Sequence, residues 1–100
     1  MNTATTPTFS EFEAEALASG FDQVVERRWQ PGQVIDTHTH PFAVKALMTH
    51  GDLWLSAGDV ERHLRAGDRF ELAYQEPHAE RYGPDGAVFW AARRHSAAPR

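Results

Sequence analysis

Short apolar segments, separated by residues that favour turns, occupy most of the chain after Gly20. Proline, glycine and aspartate interrupt these segments about every 8 to 12 residues, which is typical of an all-β sandwich or barrel. The predicted turns include His50-Gly51-Asp52 and residues 83–86. The predicted strands lie at residues 21–29, 33–40, 43–49, 53–57, 60–65, 69–74, 78–82 and 87–93.

One short helix is predicted ahead of the strands, from about residue 8 to residue 19. Thr8 and Glu11 have the spacing of a capping box, in which each side chain accepts a hydrogen bond from the other residue's backbone amide. Gly20 is expected to end the helix. We expect packing against the strands through an apolar face that consists of Phe9, Phe12, Ala16 and Leu17.

The chain has 100 residues, which is enough for one domain with a modest core. Its hydrophobic fraction of 41% and charged fraction of 24% indicate a globular rather than a disordered protein. We expect a single domain at residues 8–93, a flexible N-terminus at 1–7 and a flexible tail at 94–100.

The net charge and the absence of cysteine narrow the classes of function. A net charge of -4 argues against a nucleic-acid-binding protein, which normally carries a basic face. Without cysteine, disulfides and thiolate metal sites are excluded. We see neither an apolar run of roughly 20 residues nor a secretory signal, so we expect a cytoplasmic protein without membrane partners.

Two histidines, His38 and His40, lie two residues apart in a predicted strand. Residues at this spacing project from the same face of a strand, so both imidazoles can converge on one point inside a barrel. A third histidine, His78, follows Pro77. A His-x-His pair alone is weak evidence for a metal site, and its surroundings decide how it is interpreted.

The stretch from Gly32 to His40, with the sequence GQVIDTHTH, resembles the first motif of the cupin superfamily. Gly51 stands where the closing glycine of that motif would fall, and the stretch from Gly67 to His78 resembles the second motif. The resemblance extends over about residues 24–93. It implies a cupin double-stranded β-helix, or jelly-roll barrel, in which His38, His40 and His78 bind one metal ion.

The chain departs from the cupin motifs at several positions. The first motif usually has a glutamate ligand separated from the second histidine by three or four residues, where this chain has Val44 and Lys45. In the second motif, Ala73 and Gln75 replace a proline and a glycine, and Tyr82 stands near the usual asparagine. The resemblance therefore implies a three-histidine site rather than the common site of three histidines and one glutamate.

Three neutral imidazoles suit a divalent transition metal ion (Fe, Ni, Zn, Cu or Co) better than Mg or Ca, which prefer oxygen ligands. Such a ligand set leaves coordination positions open for water or substrate. Because the imidazoles do not compensate the charge of the ion, an anionic or enolisable small molecule would be attracted. A metal-free cupin, in which the histidines are packed or solvated, is the alternative.

Glu80 and Tyr82 are candidate catalytic residues because strand alternation places them on the same face as His78. Glu80 could act as an acid, a base or an additional ligand. We favour instead a carboxylate at the rim of the barrel, paired with Arg81 or Arg69. Tyr82 could donate a hydrogen bond to a substrate or simply pack against its neighbours.

The residues after the first motif divide between the two faces of their strand. Val44, Ala46 and Met48 would line the cavity beside the metal or belong to the core. We expect Lys45 to face outward with Leu47, although a one-residue bulge could turn Lys45 into the cavity as an anion contact.

The leading functional hypothesis is a metal-dependent dioxygenase or isomerase acting on a small molecule. The second hypothesis is a non-catalytic ligand-binding or sensor domain, and a third, weaker one is a metal-free structural or storage protein, since a fold does not fix a function. We expect a homodimer, because pairing between two copies would cover the edge strands of so small a barrel.

Overall fold

The computed structural model describes residues 6–96, in which one helix is followed by six antiparallel strands. The predicted all-β architecture with one short N-terminal helix is confirmed. The elements are α1 (Phe9–Ala18), β1 (Gln23–Trp29), β2 (Val34–His38), β3 (Ala43–Ala57), β4 (Val60–Arg65), β5 (Arg69–Leu72) and β6 (His78–Arg94).

Two of the predicted turns are wrong, because the chain continues through them as long, irregular strands. His50-Gly51-Asp52 lies within β3, and residues 83–86 lie within β6. The register between these two strands shifts at Gly51, where the pairing passes from Gly51 with Ala87 to Leu53 with Tyr82. Glycine at positive φ serves a bulge as well as it serves a turn, so the same residue types are found in both.

The long strands β3 and β6 pair with each other along most of their length and change their outer partners at this irregularity. On one side of it the strand order is β1-β6-β3-β5, and on the other it is β2-β6-β3-β4. The bulge also changes which residues face the interior. In β3, even-numbered residues such as Met48 are buried in the core before Gly51, and odd-numbered residues such as Leu53 are buried after it.

The core fills the space between the two sides of the molecule and draws residues from β3, β4, β5 and β6. Met48, Leu53 and Leu64 are its largest fully buried side chains. A fully buried side chain of this size contributes about 1.5–3 kcal/mol relative to an exposed one. The rest of the cluster consists of Val44, Ala46, Leu55, Phe70, Leu72, Tyr82, Ala87, Phe89 and Ala91.

Helix α1 packs on the outer face of β1, β3 and β6. Its N-terminus has the predicted capping box, in which Thr8 and Glu11 exchange hydrogen bonds of 2.8 and 3.1 Å. As predicted, Phe9 and Phe12 face the strands, and both rings contact Trp90. Leu17 is 47% exposed, so it does not belong to the packed face.

The ends of the described chain adjoin the first and last strands. β6 extends to Arg94, one residue beyond the predicted domain limit, and His95 donates a backbone hydrogen bond to Asp22 at 2.7 Å. Most of the predicted flexible termini, residues 1–5 and 97–100, lie outside the described residues. Residues 6–96 contain no helix with the length and apolar character that crossing a bilayer requires.

Candidate metal centre

The three predicted histidines come together where β2 meets the start of β6. His38 ends β2 and is the direct cross-strand partner of His78, the first residue of β6. His40 lies just beyond β2, although the sequence predicts it within the strand. The carbonyl oxygen of His40 accepts a hydrogen bond of 3.0 Å from the amide of Gln75, which joins the segment after β2 to the segment before β6.

One potential ligand nitrogen from each of the three rings lies within 4.8 Å of the other two. The Nε2 atoms of His38 and His40 are 3.1 Å apart. The ring centroids of His38 and His78 are 4.3 Å apart, and those of His40 and His78 are 5.1 Å apart. Three imidazole nitrogens that converge in this way match the donor set of a transition-metal site.

Backbone carbonyls orient two of the rings. The Nδ1 atom of His38 lies 2.7 Å from the carbonyl oxygen of Asp36, and that of His78 lies 2.9 Å from the carbonyl oxygen of Glu76. A carbonyl can only accept, so each neutral ring carries its proton on Nδ1 and presents the lone pair of Nε2 to the cluster. Metal-binding histidines commonly have this arrangement, in which the second nitrogen donates to a fixed acceptor.

The electrostatics of the cluster differ from ring to ring. Burial, followed by the nearby rings of His38 and His78, lowers the pKa of His40 below its usual 6.5. Burial also lowers the pKa of His78, but hydrogen bonds to the Glu80 carboxylate and the Glu76 carbonyl outweigh it and leave the pKa of His78 raised. His40 is therefore readily neutral, whereas the Glu80 carboxylate, 3.4 Å from Nε2 of His78, favours the protonated form of His78.

Glu80 lies inside the site, so the favoured interpretation of a rim carboxylate paired with Arg81 or Arg69 is wrong. Its side chain is 9% exposed, and its Oε2 atom is 3.4 Å from the Nε2 atoms of both His38 and His78. Arg81 instead lies over the ring of Trp54, with its Cζ atom 4.4 Å from the ring centroid. Contacts inside the barrel, rather than the nearest arginine in sequence, determine where this carboxylate lies.

Tyr82 supports Glu80 from the core side. The buried Tyr82 hydroxyl donates a short hydrogen bond to Oε1 of Glu80, and the Tyr82 ring stacks on Trp29 with 5.0 Å between centroids. Burial raises the pKa of Glu80, but hydrogen bonds from His78 and Tyr82 outweigh it and leave the pKa lowered. Burial, then the Glu80 charge, raises the pKa of Tyr82, so its hydroxyl remains a donor.

The residues that follow the first motif divide as the sequence predicts. Val44 lines the cavity beside the histidines, whereas Ala46 and Met48 belong to the core. Lys45 is half-buried and does not line the cavity; it shares the opposite strand face with Leu47, which packs toward the helix. Glu80, from another strand, therefore brings a carboxylate to the place where the motif's usual glutamate is missing.

A cavity of about 70 Å³ opens beside the histidines. Apart from the histidines and Glu80, most of its wall is apolar or aromatic, including Phe42 and Phe70. Arg27 and Arg93 also line it, and sequence reasoning missed both. The available signal was strand alternation, since Arg27 is two residues from Trp29 and Arg93 is two residues from Ala91.

The donor set fits a divalent transition-metal ion. Two rings present Nε2 lone pairs, the third is readily neutral, and the adjacent carboxylate supplies a negative charge that the imidazoles lack. Three nitrogen ligands leave room in the coordination sphere for a small molecule from the cavity. The arrangement can hold an ion, orient an anionic ligand on it and accept a proton at Glu80.

No protein-family model and no curated protein matches the sequence. Several solved structures are similar to the chain. The chain is 25% identical to a Klebsiella pneumoniae protein with a double-stranded β-helix domain, covering 79% of this chain and 72% of that one at a TM-score of 0.65. A cupin-like protein from Thermotoga maritima is also 25% identical, with 77% and 60% covered and a TM-score of 0.65.

The chain is also similar to the DMSP lyase DddQ from Ruegeria pomeroyi. The two are 21% identical, the match covers 76% of this chain and 39% of the lyase, and the TM-score is 0.68. This likeness concerns the fold, and the chain spans well under half of that enzyme. Together these likenesses confirm the double-stranded β-helix that the two motifs predict. The expected homodimer, cytoplasmic location and small-molecule partner stay predictions.

Proposed function

The chain is a small domain of the cupin superfamily, and from this premise we propose that its three histidines bind one divalent transition-metal ion for chemistry on a small anionic molecule. The observation that carries the proposal is the orientation of the rings. Both His38 and His78 donate Nδ1–H to a backbone carbonyl, so their Nε2 atoms, which carry lone pairs when the rings are neutral, point to the place that His40 also reaches.

We propose that the reaction is an isomerisation or an oxygen-dependent cleavage of an enolisable substrate. Both begin with loss of a proton from a carbon beside a carbonyl group. A bound divalent ion polarises such a carbonyl oxygen and makes the adjacent C–H bond more acidic. Glu80 is ionised, buried and next to two of the three ligand nitrogens, which suits it to accept that proton.

Tyr82 has a positioning role in this proposal. Its hydroxyl donates a hydrogen bond to Oε1 of Glu80, and Oε2 of the same carboxylate faces the histidines. Stacking on Trp29 fixes the tyrosine ring in turn. The carboxylate is thus held in one orientation and does not have to reorganise when a substrate enters.

The metal site is tested by the metal content of untagged protein and of single variants. We expect about one ion per chain in the wild type and loss of that ion in His38→Ala, His40→Ala and His78→Ala. His50→Ala is the matched control, because His50 is exposed and lies outside the cluster. Retention of a full complement of metal in all three cluster variants would overturn the proposed site.

A measurement of turnover distinguishes an enzyme from a non-catalytic binding domain. Metal-loaded protein is incubated with pyruvate in D₂O, and exchange of the methyl protons is followed by NMR together with oxygen uptake. We expect exchange that Glu80→Gln abolishes even when an excess of the metal ion keeps the site of the variant occupied. Saturable binding of pyruvate with neither exchange nor oxygen uptake would contradict catalysis and favour the non-catalytic alternative, for which the mostly apolar cavity is suited.

A further inference from the structure

Two arginines, Arg27 and Arg93, lie on the inward faces of their strands, where alternation normally places apolar residues. Arg27 lies between Val25 and Trp29 on β1, and both of these neighbours pack against the core cluster. Arg93 follows Phe89 and Ala91 on the inward face of β6. Both arginines line the same cavity as the histidines. Charged groups in such positions are costly to bury unless a partner compensates them.

In the part of the chain that the structure describes, the two guanidinium groups have no such partner. Among residues 6–96, neither Arg27 nor Arg93 forms an ion pair, and the Nε atom of Arg93 is buried without a hydrogen-bond partner. Aromatic faces support them instead: the Cζ atom of Arg27 is 4.9 Å from the Trp29 ring centroid, and that of Arg93 is 4.7 Å from that of Phe42. These contacts with aromatic rings position the guanidinium groups without using their N–H donors, which can therefore bind an anion.

The two arginines affect each other and adjoin the histidine cluster. Both guanidinium groups line one cavity, and burial, followed by the charge of Arg27, lowers the pKa of Arg93. The ring of Phe42 links Arg93 to the cluster, since it also stacks on His40 with 4.8 Å between centroids and only 9° between the planes. An anion between the arginines would relieve the repulsion within reach of the histidines.

We propose that Arg27 and Arg93 form a carboxylate-binding subsite, so that the cavity selects a small molecule with two anionic ends. One carboxylate pairs with the two guanidinium groups, whose planar arrays of donors match carboxylate geometry. The other end of the molecule would bind the metal ion through its oxygen atoms, and this part of the proposal rests on the proposed function. The subsite itself depends only on the two arginines and the cavity that they line.

Malate and lactate test the subsite, because both carry a 2-hydroxy acid group and only malate has a second carboxylate. We expect isothermal titration of metal-loaded protein to show malate binding about tenfold more tightly than lactate. Arg27→Gln and Arg93→Gln should each remove this preference, whereas the lysine variants should retain part of it. Equal affinity for the two acids in the wild type would overturn the proposal.

Neighbouring arginines on the same strands are the matched controls. Arg28 is exposed and pairs with Glu26 at 3.0 Å, and Arg94 lies on the other face of β6 over the ring of Phe21. We expect Arg28→Gln and Arg94→Gln to keep the preference for malate. Loss of the preference in either control to the same extent as in Arg93→Gln would mean that overall charge, and not a subsite, is responsible.

Metal-free protein separates a failure of this subsite from a failure of the metal site. Butyrate should bind metal-free wild type more tightly than the uncharged amide butyramide does, and Arg27→Gln should lose that difference. This result is expected whether or not the histidines bind metal. Inorganic phosphate is the third probe: if it displaces butyrate at a lower concentration than acetate does, the assignment of the subsite to a carboxylate is overturned.

Discussion

The Oε2 atom of Glu80 lies 3.4 Å from the Nε2 atom of His78, inside a site where the sequence motif provides no glutamate. Glu80 therefore supplies negative charge from β6 rather than from β3. We predict that Glu80→Gln lowers the affinity for the metal about tenfold, because a neighbouring carboxylate no longer offsets the charge of the ion. Competition with a chromophoric chelator measures this affinity.

The control for this substitution is Glu71→Gln. Glu71 is exposed on β5, where it pairs with Lys45 in the register with β3, and it does not line the cavity. Its substitution should leave the affinity unchanged. Equal affinities in Glu80→Gln and the wild type would show that the carboxylate does not act on the ion.

Removing the Tyr82 hydroxyl should destabilise the fold. Tyr82→Phe leaves Oε1 of the buried Glu80 carboxylate without its donor, which costs about 1–3 kcal/mol. Urea unfolding of the metal-free protein measures the loss. Tyr74→Phe is the control, since Tyr74 is half-buried outside the core cluster and its substitution should change the stability by less than about 0.5 kcal/mol. Equal midpoints for the two variants would contradict the role assigned to Tyr82.

The pair of Glu80 and His78 should give the metal-free protein a stability maximum in mildly acidic solution. Hydrogen bonds lower the pKa of Glu80 below 4.5, so its contribution is present above pH 4.5 and is lost as the pH falls. The pKa of His78 is raised above 6.5, so its contribution is complete below pH 6.5 and is lost as the pH rises through the folded-state value.

Urea midpoints of wild type and Glu80→Gln, measured with a chelator from about pH 4 to pH 9, test this relationship. The stabilisation of wild type relative to the variant should be largest between the two ordinary values, 4.5 and 6.5. A difference that does not change with pH would mean that the two groups are not coupled.

A methyl group at Gly51 should be far more disruptive than one at Gly58. Both residues have positive φ, at 70° and 61°, so alanine costs about 1–2 kcal/mol at either position. A Cβ atom at Gly51 would also lie 2.0 Å from the carbonyl oxygen of Gly86, whereas Gly58 has no atom within 4 Å of that position. We expect Gly51→Ala to lose at least about 1 kcal/mol more in urea unfolding than Gly58→Ala does.

Strand alternation predicted which residues face inward, but the sequence did not show how the segments connect. Reading residues 43–49 and 53–57 as separate strands placed Ala46 and Met48 correctly on an inward face of the first segment, although no inward face was assigned to the second. The turn between them was wrong, since the register shift at Gly51 depends on contact with Gly86 of another strand. Local sequence carries no information about that contact.

The candidate site was predictable to the extent that the chain resembles the cupin motifs. Strand alternation predicted that His38 and His40 converge, the resemblance implied that His78 joins them, and the structure brings the three together. The sequence could not decide between an inward and an outward Glu80, because alternation and the nearby arginines favour opposite answers. Arg27 and Arg93 were missed for a related reason: a basic residue in a strand normally faces solvent, and only the tertiary packing of β1 on β6 shows otherwise.

The bulge between β3 and β6 has an evolutionary consequence. On β6 the residues that face the interior have even numbers before it, as in His78 and Glu80, and odd numbers after it, as in Arg93. A one-residue insertion or deletion at 83–86 would therefore turn Arg93 out of the cavity and, with it, Phe89 and Ala91 out of the core. Natural selection is thus expected to preserve the length of this segment more strictly than the identity of its residues.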